Sequence, residues 1–110
     1  MSGERIEQIK SAVEAADHIP AEKKVELLGT LSKIKPAIDK VAETHAENAH
    51  SIAKLVEASA TAVARKDESP ERLHKLLHEL KRSAENFEAS HPDLVAAVTE
   101  YSALLSALGI

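Results

Sequence analysis

Apolar side chains recur along this chain at intervals of three and four residues, and the β-branched ones never alternate at period two. That spacing gives one apolar stripe per helix and offers no half-buried strand. Ala, Leu, Glu and Lys, all strong helix formers, dominate the 110 residues, and only 2% are aromatic. An all-α fold follows, and 110 residues suit one domain.

Four prolines punctuate the pattern, because proline suits a first helical turn and disrupts an interior one. A first helix is expected over about residues 4–17, with Ile6, Ile9, Val13 and Ala16 on one face, and a turn at His18 and Ile19. Pro20 opens a second segment that carries Glu22 in its first turn and a stripe of Leu27, Leu28, Leu31 and Ile34. Gly29 weakens it locally. A third segment begins at Pro36 and runs to about Arg65, before a polar break at residues 66–69.

Segments two and three share one seam through Leu27, Leu31, Ile34, Ile38, Val41, His45, Asn48, Ile52, Leu55, Ser59 and Ala62, with Pro36 on its back. Residues 32–35 hold no turn former, which favours one long helix bent at Pro36 over two helices with a sharp turn. The bias of a pre-proline residue away from helix favours two.

Ser69 caps a fourth segment with Pro70 at its first position and Leu73, Leu76, Leu77, Leu80, Ala84 and Phe87 in one arc. Ser90, with Asp93 reaching back in a capping box, starts a fifth containing Leu94, Val95, Val98, Tyr101, Leu105 and Leu108. Gly109 terminates it. The architecture expected is an antiparallel bundle of four or five helices with a long central helix kinked at its proline.

Several functions are disfavoured by composition. With no Cys, disulfide scaffolds, thiolate zinc sites, iron–sulfur clusters and thiol nucleophiles lack their sulfur. Fourteen Lys and Arg are interspersed among 18 Asp and Glu, so neither nucleic acid nor an anionic membrane meets a concentrated cationic surface. Residues 1–5 lack the apolar core of a secretory signal and no stretch approaches a membrane span, so a cytoplasmic protein is expected. Glycine only at positions 3, 29 and 109 assembles no phosphate loop, and no nucleophile elbow is present.

Three Glu-x-x-His spacings, Glu47 with His50, Glu71 with His74 and Glu88 with His91, invite comparison with carboxylate bundles that hold two metal ions. Those ligands must project inward. At about 100° per residue, Glu47 and His50 point away from the seam, Glu71 lies nearly opposite Leu73, Leu77 and Leu80, and the third pair straddles a break. His74 and His78 at i and i+4 resemble half of a zinc site, but Lys75 stands where a zinc protease has glutamate. His45 and Asn48 sit on the seam, where polar residues can fix register or assembly, respond to pH, or face a wet gap.

The run Phe87-Glu88-Ala89-Ser90-His91-Pro92 and the ending Gly109-Ile110 resemble a family of short bacterial proteins of unknown function. In that family a helix ends in Phe-Glu, two residues precede His-Pro, and the chain closes with Gly-Ile. The likeness covers about residues 71–110; the family's members are shorter, and the middle segment here looks like an extension. The resemblance implies a bacterial cytosolic protein and supplies no activity. Independently of it, Phe87 can close the bottom of the core, while His91 bonds a terminal carbonyl of the preceding helix.

A non-catalytic interaction or scaffold module is therefore expected, self-associating through apolar length that short neighbours leave uncovered. No cofactor, metal or small-molecule substrate is expected, and the partner is a second copy or another protein. The alternative is a metal-dependent carboxylate-bundle enzyme using Glu47, His50, Glu71 and His74.

Overall fold

A computed structural model describes residues 2–65 and 70–109. Among them the chain forms five helices and no strand: α1 (Ser2–Ala15), α2 (Ala21–Thr44), α3 (Ala46–Arg65), α4 (Pro70–Glu85) and α5 (Pro92–Gly109). Ile110 and residues 66–69, with the expected Ser69 cap, lie outside the described residues. The all-α antiparallel bundle is as the apolar spacing implies.

Residues 21–65 form two helices, and they divide at His45 rather than at Pro36. A continuous helix of that length would run about 70 Å, whereas the longest dimension of the molecule is 38 Å. His45 leaves helical geometry at φ −136° and ψ 65°. Its N–H donates to the Val41 carbonyl at 2.7 Å, and its own carbonyl accepts from Ala49 N–H at 3.0 Å. One residue thus ends α2 and starts α3. The physical cause is burial: residues 43–48 are all exposed, so helix continuing through them would bury nothing. Turning back lets Leu27, Leu31, Ile34, Ile38 and Val41 cover Ile52, Val56, Ala60 and Val63.

Pro36 sits inside α2, the longest helix, on its solvent face. Its missing N–H frees the Ser32 carbonyl, also on an exposed residue where water can take its place.

The α2–α3 hairpin forms the middle layer. α1 packs across one side of it and the α4–α5 hairpin across the other. Cross-links fix the directions: Lys35 Nζ meets Glu7 Oε1 at 3.2 Å, while Lys24 Nζ donates to the Glu14 carbonyl at 2.9 Å, so α1 and α2 are antiparallel. Arg5 pairs with Glu57 at 2.6 Å, and the His18 ring meets the Val63 carbonyl at 2.7 Å, which sets α1 parallel to α3. Lys35 hydrogen-bonds Glu7, and the charges of Lys10 and Lys35 add to that bond, holding the Glu7 carboxyl below its ordinary range.

Among the described residues, two buried hydroxyls from different helices meet in the core. Tyr101 of α5 is fully buried; its hydroxyl donates to the Val56 carbonyl at 2.9 Å and lies 2.8 Å from Ser59 Oγ. Ser59, a seam position by its spacing, is therefore the α3 contact for the chain's one tyrosine. Burial pushes the Tyr101 phenol well above its ordinary value, and the Ser59 hydrogen bond opposes that shift only in part.

Candidate functional site

The Phe-Glu-x-x-His-Pro run occupies the α4–α5 connection. Phe87 N–H bonds the Ala84 carbonyl at 2.9 Å and Glu88 N–H bonds Glu85 at 3.1 Å, a tightened last turn. The chain then bends through residues 86–90, and the backbone N–H of His91 donates to the Phe87 carbonyl at 2.6 Å. His91 is thus tied to the end of the preceding helix through its main chain. α5 begins at Pro92, directly after His91, so Ser90 is not the helix-capping residue that the capping-box pattern implies. Proline at the first helical position needs no donor there. Glu88 is exposed, and Gly109 is the last residue of α5.

Phe87 closes one end of the core, 6% exposed. The His45 ring meets it edge-to-face at 5.2 Å and the His91 ring at 6.0 Å. The α2–α3 corner is thereby stacked on the α4–α5 connection. His45 also accepts or donates a 2.8 Å bond between Nδ1 and Thr44 Oγ1. Both His45 and Asn48 are exposed at this corner, so the seam on which a register role rested ends where they stand. His45 packs on Phe87 there, and α3 folds back along α2.

The Glu-x-x-His residues do not converge. Glu47 and His50 are exposed at the start of α3, and Glu71 and His74 are exposed at the start of the antiparallel α4, near the opposite end of the bundle. Among the described residues no group of three His, Asp or Glu is placed to hold a metal ion. Nor is any described helix long and apolar enough to cross a membrane.

Two surface grooves flank α5 instead. The one against α2, about 590 Å³, has Val25, Gly29, Ala103, Leu104 and Ala107 along it, with Lys33 and Glu100 paired at 3.2 Å on its rim. Val25 is 70% exposed, the one large apolar side chain among the described residues to stand in water. At Gly29 an added Cβ would meet nothing within 4 Å. The groove against α4, about 370 Å³, brings His74, His78 and Lys81 opposite Thr99, Ser102 and Ser106, with Leu77 and Ala103 also lining it. Ser102 and Val25 were not singled out by helical spacing. The signal that was present lies in α5, which carries no charged residue after Glu100 and so has more apolar surface than one core face requires.

Comparison with protein-family models, with curated proteins and with solved structures returns no match for this chain.

Proposed function

We propose that the chain is a non-catalytic helical interaction module that associates with a second copy of itself through the α2–α5 groove. The observation that carries this is a knob and a hole on one helix face. Val25 projects into solvent, and Gly29, one helical turn further along α2, leaves open space. Antiparallel pairing about a two-fold axis between these positions seats Val25 of each copy over Gly29 of the other, the reciprocity that an isologous dimer demands. The same register brings Glu22 within one residue of Lys33 on the second copy, so opposite charges flank the apolar contact. Ala103, Leu104 and Ala107 extend that contact along α5. A bacterial cytosolic setting is part of the proposal, supported only by the resemblance over residues 71–110.

Sedimentation at micromolar concentration tests the assembly, and a dimer is expected. Gly29→Leu separates folding from association. Its Cβ enters open space, and leaving glycine in a helix interior raises monomer stability by about 0.8 kcal/mol, yet it fills the hole and shifts the chain toward monomer. A clean 11.8 kDa species at every concentration, or a dimer indifferent to Gly29→Leu and Val25→Lys, would overturn the proposal.

A further inference from the structure

The opposite flank of α5 carries a different chemistry. Positions 74, 78 and 81 share one side of α4, and positions 99, 102 and 106 share the facing side of α5, so two stripes run along one groove of about 370 Å³. One stripe holds two imidazoles and an ammonium, the other three hydroxyls. Among the described residues no carboxylate lines the groove and Lys81 has no ion-pair partner. Ser102 supplies the second, independent observation. Thr30, Ser59 and Thr99 turn their hydroxyls back onto the carbonyl four residues earlier, at 2.8–2.9 Å. The Ser102 hydroxyl does not: it is buried without a hydrogen-bond partner, on a residue 6% exposed that lines the groove. Buried polar groups are ordinarily paired, and an unpaired one marks a place where an acceptor belongs.

We propose that this groove binds a small phosphorylated molecule. An anion is favoured over a metal ion because Lys81 stands beside the two histidines and no third ligand joins them. Phosphate suits the donor set better than a carboxylate does: each imidazole offers an N–H in either protonation state, the ammonium offers three, and Ser102 and Ser106 add hydroxyls from the facing helix. Thr99 already donates to Val95 and shapes the wall. The volume exceeds that of a bare oxyanion, and Leu77 and Ala103 leave apolar surface for an organic body.

Amide NMR titration of the whole chain with glycerol 3-phosphate, inorganic phosphate, sulfate and glycerol tests this. The expected result is saturable shifts along residues 74–81 and 99–106 with the phosphomonoester, half-complete near or below about 1 mM, weaker with inorganic phosphate and sulfate, and absent with glycerol. Lys81→Met is expected to weaken binding by about tenfold or more. Ser102→Ala is expected to weaken it by about tenfold while leaving the thermal midpoint unchanged or raised, because it deletes an unpaired buried hydroxyl. A purely structural Ser102 would not separate the two readouts. The proposal is overturned by the absence of saturable shifts with every phosphate probe, or by shifts that persist undiminished in both variants. The two grooves share Ala103, so the titration is repeated on Gly29→Leu, which separates occlusion by a second copy from absence of the site.

Discussion

Phe87→Ala is expected to lower stability by about 3–5 kcal/mol, the usual range for emptying a buried aromatic site. Phe87 is 6% exposed and is gripped by the His45 and His91 rings, so its loss leaves the α2–α3 corner and the α4–α5 connection facing a void. Domains of this size are stable by about 5–15 kcal/mol in all, which puts the variant close to unfolding. Urea denaturation followed by far-ultraviolet circular dichroism measures the change. Phe87→Leu keeps most of the volume and is expected to recover the greater part of the loss. A loss below about 1 kcal/mol for the alanine variant would mean that this end of the core is wet rather than packed.

Alkali is expected to unfold the protein through Tyr101. Burial raises the folded-state pKa of its phenol above the ordinary value near 10, while the Ser59 bond pulls weakly the other way. Below about pH 10 both folded and unfolded chains keep the phenolic proton, and the full stability of the buried neutral ring is present. Above that pH the unfolded chain releases a proton that the folded chain retains. Stability should then fall by about 1.4 kcal/mol per pH unit until the pH reaches the folded-state pKa. With one Tyr and no Trp in the chain, tyrosinate absorbance reports this group alone, and it should appear together with unfolding rather than ahead of it. Tyr101→Phe supplies the baseline. That variant loses about 1 kcal/mol at neutral pH with its hydrogen bond to Val56, and its stability should fall less steeply with alkali. Tyrosinate absorbance rising near pH 10 in folded protein would contradict the buried network.

Helix faces were legible because burial and spacing report the same thing. Ile6, Ile9 and Val13 are buried on α1 and Ala16 just past its end, as are Leu73, Leu77, Leu80 and Ala84 on α4. The corner at His45 was not legible. Residues 43–48 contain neither Gly nor Pro, so the strongest turn signals are missing, and the seam keeps its phase straight through. What bends the chain is the gain from laying α3 against α2, a tertiary term that helical spacing does not express. Pro36 misled for the complementary reason: on an exposed face its missing donor is tolerated.

The same limit governs the candidate sites. His74 and His78 stand out in the sequence as a pair, but Ser102 joins them only through the antiparallel match of α4 with α5. Val25 lies off the apolar stripe of α2, and helical spacing alone gives it no role. Gly29 beside it gives it meaning only once the surrounding surface is known to be open.

The single-residue joint at His45 has a kinetic side. Bringing α2 and α3 together closes almost no loop, so their hairpin forms with little chain entropy to overcome. α4 then meets a partner adjacent in the chain, while α1 on α3 and α5 on α2 are the broad pairings between distant segments. A topology so dominated by near neighbours belongs with the fast folders, which reach the native state in roughly microseconds to milliseconds. Its long-range stages are the docking of α1 on α3 and of α5, the helix whose flanks form both surface grooves, on α2.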